Sequence, residues 1–150
     1  MSDLIFKVKG ESSSPAKFIA KTRHFKLIVD EPQDLFGTDE NANPVEYILA
    51  GLAGCLNVVG HLVAKELGFT IQKLKIEVEG NLNPSKLFGV SNDERAGFKE
   101  INLKLIPETD TPIETLILWL RIVQNRCPVI DNLSNHTPVK VCVEKQYAIQ

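Results

Sequence analysis

Residues 43–68, NPVEYILAGLAGCLNVVGHLVAKELG, restrict the fold more than any other segment. Asn43 can cap a helix, Pro44 suits its first position, and Glu46 completes a capping-box pattern. Gly68 is a stop signal. The helix between them would run about 36 Å at 1.5 Å per residue. Residues 47–56 are apolar without interruption, so the middle of the helix is apolar on every face. Such a helix has to be covered all round. A chain of 150 residues has few other elements with which to wrap it. A second copy of the chain is the natural cover, and the expected assembly is an obligate homodimer.

The flanking segments alternate as strands do. Residues 4–8 read as a first strand, with Leu4, Phe6 and Val8 on one face, and Ser12–Pro15 read as a turn. Residues 16–29 supply one or two more strands, and 37–43 form a polar loop into the helix. Residues 69–80, FTIQKLKIEVEG, turn Leu74, Ile76 and Val78 inward. After a long connection over 81–97, residues 98–106 resume the pattern with Ile101, Leu103 and Leu105. A second helix is predicted from Thr111 as cap, with Pro112 first and Glu114 as box partner. Its stripe is Leu116, Leu120 and Val123, and it ends near Cys127–Pro128. A closing strand starts at Val139, with Val139, Val141 and Val143 inward. The predicted fold is α+β, a single domain over 1–150, with mainly antiparallel sheets around a long central helix.

Composition narrows the function. The formal charge is −2, which marks no nucleic-acid surface. The apolar run is too short for a bilayer span, and no signal peptide opens the chain. The expected setting is the cytoplasm, with neither nucleic acid nor membrane as partner. Three cysteines in such a setting suit catalysis, redox work or burial better than a disulfide framework. His24, His61 and His136 are scattered and no CxxC occurs, so no metal site is expected. His61 lies about 120° around the helix from Cys55, a poor position for a base. Cys142 alternates with Val141 and Val143 and reads as structural. Cys55 reads either as a small buried hydrophobe or as a thiol activated by a cation that folding brings near. The helix dipole fades beyond the first turn and does not reach it.

Two segments then carry a resemblance. NPVEYILAGLAGCLNVV, centred on Cys55, and RCPVIDNL, holding Cys127, together resemble the OsmC/Ohr family of small thiol-dependent peroxide-detoxifying proteins. The likeness extends from Phe25 to Val143. It implies an intertwined homodimer with two active sites at the subunit interface. It also implies a reactive thiol at Cys55, a resolving thiol at Cys127, organic hydroperoxide as substrate, and an external dithiol as reductant in place of a cofactor. The hydroperoxide-resistance branch has a glutamate directly after the proline of its NPE motif, where this chain has Val45 followed by Glu46. On an ideal helix Glu46 lies about 180° from Cys55 and roughly 13 Å along the axis, out of reach within one chain. That branch also holds its thiolate with an arginine from the N-terminal strands. Arg23 is the only arginine before the long helix, and Arg126 is the second choice. The candidate catalytic residues are therefore Cys55, Cys127, Arg23 and Glu46. The alternative reading is a non-catalytic dimer that binds a small apolar or thiol-reactive ligand.

Overall fold

The computed structural model describes residues 1–146; residues 147–150 of the expected 1–150 domain lie outside the described residues. The chain begins with an antiparallel meander of β1 (Lys9–Ser12), β2 (Phe18–Thr22) and β3 (Phe25–Val29). The long helix α1 (Pro44–Glu66) follows, then the hairpin of β4 (Lys73–Asn81) and β5 (Glu100–Glu108). Two helices, α2 (Ile113–Arg126) and α3 (Pro128–Ser134), complete the described elements. This is the α+β arrangement expected, with antiparallel sheets and a central long helix.

Both ends of α1 form as the sequence dictates. Asn43 Oδ1 accepts from the Glu46 N–H at 2.9 Å, and Glu46 Oε2 accepts from the Asn43 N–H at 2.8 Å. Two of the free amides at the helix start are thereby satisfied. At the other end Gly68 adopts φ +79°, the left-handed region that glycine enters freely. Its N–H reaches the Lys65 carbonyl and the Phe69 N–H reaches that of Ala64, which closes a Schellman cap.

One face of α1 is buried through Leu52, Leu56, Val59, Gly60, Val63 and Ala64. Burying a leucine or valine of this kind contributes roughly 1.5–3 kcal/mol. The inner faces of β4 and β5 pack there, with Ile76 opposite Leu105 and Val78 opposite Leu103. From α2 come Trp119 and Val123, both almost fully buried. By length and composition α1 could cross a membrane, yet this stripe is packed inside the domain. The opposite face of α1 is open. Gly51 and Gly54 have empty space above them, and Val58 and Leu62 are exposed.

The meander contributes no side chain to that core among the described residues. It is tied to α1 by Tyr47 Oη, which donates to the Ile28 carbonyl at 2.7 Å, and by the loop over 30–43. Asp30, fully buried, organises this loop. Its carboxylate accepts from the Thr38 hydroxyl at 2.6 Å and from the Glu40 N–H at 3.1 Å, with Lys17 Nζ 3.7 Å away. The Thr38 hydroxyl, helped by backbone amides, holds Asp30 far below the usual carboxylate range.

Four expectations need correction. Residues 4–8 are not a strand within the subunit: β1 starts at Lys9. The register Lys9↔Lys21 leaves β2 one further residue, Thr22, before the turn at Arg23, so the chain before Lys9 has almost nothing left to pair with. The closing segment from Val139 forms no strand either, and Val139, Val141 and Val143 are exposed rather than inward. A strand needs a free edge, and none of this subunit receives it. Thr111 does not cap α2. Its Oγ1 lies 3.0 Å from that of Thr109, the helix begins after Pro112, and no box with Glu114 forms. The buried stripe of α2 runs through Trp119 and Val123, while Leu120 is partly exposed.

Candidate active site at the paired thiols

Cys127 is the joint between two helices. Its N–H closes α2 on the Val123 carbonyl, and it stands as N-cap of α3 with Pro128 at the first position. A residue before proline is driven to extended backbone, and Cys127 has φ −78°, ψ 111°. This break turns its side chain inward. The thiol is buried and its Sγ lies 3.2 Å from Sγ of Cys55, at the middle of α1. Seventy-two residues of sequence separate the two thiols. Both are free and part-buried as a pair, with Cys55 the more accessible.

Burial pushes the Cys55 thiol above its ordinary value, because a thiolate is poorly solvated there. The Val129 N–H pulls the other way, and the neighbouring Cys127 adds to the rise. Val129 is in the first turn of α3, where amides have no partner within the helix. Reading side chains alone missed this donor; the Cys–Pro step, which starts a new helix, was its signal.

The other candidates lie elsewhere in the subunit. Arg23 occupies the β2–β3 turn at φ +53°, with its guanidinium 4.8 Å over the Phe25 ring. Arg126 makes a two-pronged ion pair with Glu66, at 2.5 and 3.1 Å. Neither is among the groups that shift Cys55, so the subunit itself supplies no cation there among its described residues. Glu46 is held in the Asn43 capping box and does not meet Cys55. His61 turns Nδ1 to the Asn57 carbonyl at 2.9 Å, on the exposed face of α1. Cys142 is exposed. No group of three His, Cys, Asp or Glu side chains among the described residues could hold a metal ion.

An apolar groove of about 360 Å³, which neither thiol lines, is bounded by Leu56, Leu103, Leu105, Leu116 and Trp119 among others. A second concavity, about 470 Å³, shares Leu103, Gln124 and Ile130 with it.

A family model described as OsmC-like protein matches residues 37–141, a span that holds both thiols. The chain belongs to the OsmC-like family. No curated protein sequence matches it. Among solved structures, it is similar to an OsmC-like protein from Mycoplasma pneumoniae, with TM-score 0.77 and 23% identity over 89% of each chain. An organic hydroperoxide resistance protein OsmC from Legionella pneumophila superposes with TM-score 0.64 at 17% identity, over 89% of this chain and 91% of that one. An organic hydroperoxide resistance protein from Elizabethkingia anophelis gives TM-score 0.64 at 17% identity, over 87% and 88%. At these identities the likeness speaks for the OsmC-like fold.

Proposed function

We propose that this OsmC-like protein reduces organic hydroperoxides through Cys55 and Cys127, as a homodimer. The observation that carries the reading is the 3.2 Å separation of the two sulfurs. The Cys55 thiolate attacks one peroxide oxygen, the O–O bond breaks, and the alkoxide leaves and takes a proton. Cys55 is then a sulfenic acid. The Cys127 sulfur displaces its hydroxyl as water and forms a disulfide. An external dithiol reduces that disulfide by exchange and is itself oxidised. Cys127, buried at the helix joint, suits the resolving role, and the more accessible Cys55 suits attack. The Legionella and Elizabethkingia relatives carry hydroperoxide resistance in their names, which agrees with the reading.

The raised Cys55 thiol has to be offset by a cation, and we assign this to Arg23 reaching across the dimer. Thiolate grows as pH rises through the thiol's pKa, so a raised pKa delays reaction to higher pH. Stopped-flow oxidation against pH tests this. Wild type should consume an organic hydroperoxide faster than hydrogen peroxide, because apolar side chains surround Cys55. Arg23→Ala should move the rising limb to higher pH, and Arg95→Ala or Arg121→Ala should leave it in place. Equal rates with both peroxides would remove the substrate assignment. An unmoved limb would remove Arg23 and turn attention to Arg126.

The dimer is supported by what the subunit leaves open. The apolar side of α1 at Gly51, Gly54, Val58 and Leu62 is uncovered, as is the meander face bearing Phe18 and Phe25. Val139, Val141 and Val143 are exposed as well. Light scattering at low micromolar concentration should give twice 16.7 kDa. A stable monomer of 16.7 kDa would refute the assembly.

A second reading has its own support. The raised Cys55 thiol and the apolar groove of about 360 Å³, which Leu56 lines, suit a protein that binds an apolar or thiol-reactive ligand without turnover. Ligand binding with no peroxide consumption at any pH would select it.

A further inference from the structure

The two sheets treat charge differently. Across β4 and β5 no solvent-facing pair opposes like charges, and two are complementary, Lys73 opposite Glu108 and Glu77 opposite Lys104. That is how a solvated sheet face is ordinarily built. Across the meander, Lys9 stands opposite Lys21, and Lys21 opposite Lys26. Three lysines thus share one row and one face. Strands lie about 4.8 Å apart, so the row is about 10 Å long. Lys7 and Arg23 join Lys9 and Lys21 around a concavity of about 570 Å³ on that face, which Glu11 and Ile19 also line. All five cations are exposed, and among the described residues none has a carboxylate within 4 Å. Like charges directly opposed across strands are destabilising. The charge of −2 for the whole chain conceals this row, in which no acidic residue stands.

The next row on the same face is Glu11, Ile19 and Ile28, with both isoleucines half-buried. The surface therefore offers cations beside aliphatic side chains and has no aromatic ring in either row. Single-stranded nucleic acid is bound through aromatic platforms, which are missing here. Cations that meet headgroup phosphates beside aliphatic side chains that meet the acyl boundary suit an anionic bilayer. We propose that the β1–β3 face docks the protein peripherally on anionic phospholipid membranes. The docking rests on Lys9, Lys21 and Lys26 and needs neither thiol nor Arg23; it contradicts the expectation, drawn from net charge and run length, of no membrane partner.

Co-sedimentation of the full-length protein with vesicles tests it. Vesicles with about 30% phosphatidylserine in phosphatidylcholine should bind the protein, and pure phosphatidylcholine should not. Raising salt from about 50 to about 300 mM should weaken the binding, since the attraction is screened. The triple variant Lys9→Gln/Lys21→Gln/Lys26→Gln should bind about 100-fold more weakly, at roughly a fivefold loss per lysine. It should fold at least as well as wild type, because it relieves repulsion, and circular dichroism would check this. Lys73→Gln/Lys75→Gln/Lys104→Gln, on the other sheet, should bind like wild type. Equal binding to both vesicle types, or a β1–β3 triple variant that binds like wild type, would overturn the proposal. Binding to a single-stranded oligonucleotide but not to vesicles would overturn it too.

Discussion

Cys55→Ser is expected to lower hydroperoxide consumption by about 1,000-fold or more, since loss of the attacking atom removes the covalent step. Cys127→Ser should have a different signature. Cys55 still attacks, but its sulfenic acid meets no second thiol at 3.2 Å. It then climbs to sulfinic and sulfonic acid under excess peroxide, which is visible as added oxygen by intact mass. Wild type under the same dose should stop at the Cys55–Cys127 disulfide, located by peptide mapping. Cys142 is exposed and offers a route to scrambled products, so the comparison belongs in a Cys142→Ser background. Identical products from wild type and Cys127→Ser would leave Cys127 without a resolving role. Full activity in Cys55→Ser would end the thiol mechanism altogether.

What the sequence made legible was local. Asn43, Pro44, Glu46 and Gly68 are read within one or two turns of the helix they bound, and both caps form from those residues alone. The alternation of Leu74, Ile76 and Val78 marks a strand whichever partner it takes. Strand pairing is not local, so the same alternation at residues 4–8 and 139–143 gave no warning that neither segment joins a sheet of the subunit. Thr111 looked like a cap until Thr109, two residues earlier, took its hydroxyl. The approach of Cys55 to Cys127 across seventy-two residues was expected only through the family resemblance; no spacing rule yields it. The cation is a different case. Neither Arg23 nor Arg126 is among the groups that shift Cys55 within the subunit, one being held at a hairpin turn and the other by Glu66. If the active site is completed across a dimer, one chain's pattern has no means of showing it.

Trp119→Ala should be the most damaging core substitution. The side chain is 2% exposed, and its Nε1–H donates to the Gly60 carbonyl at 2.8 Å. Its ring packs over Gly60, where an added Cβ would meet Trp119 Cζ2 at 3.1 Å. α1 thus brings a glycine to the one place where α2 brings its largest side chain, and each requires the other. Removing the indole leaves a cavity between α1, α2 and β4, at a loss of about 3–5 kcal/mol. For a domain of this size that lowers Tm by roughly 10 °C, measurable by circular dichroism or urea titration. Trp119→Phe separates the two contributions. It keeps most of the volume and gives up one hydrogen bond, so about 1 kcal/mol of its loss is polar. The consequence reaches the thiols, because Cys127 caps the C-terminal end of the helix that Trp119 anchors. Trp119→Ala should therefore also slow formation of the Cys55–Cys127 disulfide after peroxide, well below the unfolding temperature of the variant. A stability loss under about 1 kcal/mol would mean that α2 is held on α1 by other contacts. Unchanged disulfide kinetics in a clearly destabilised variant would mean that the Cys127–Pro128 joint, packed by Val123 and Val129, sets the sulfur separation without help from the indole.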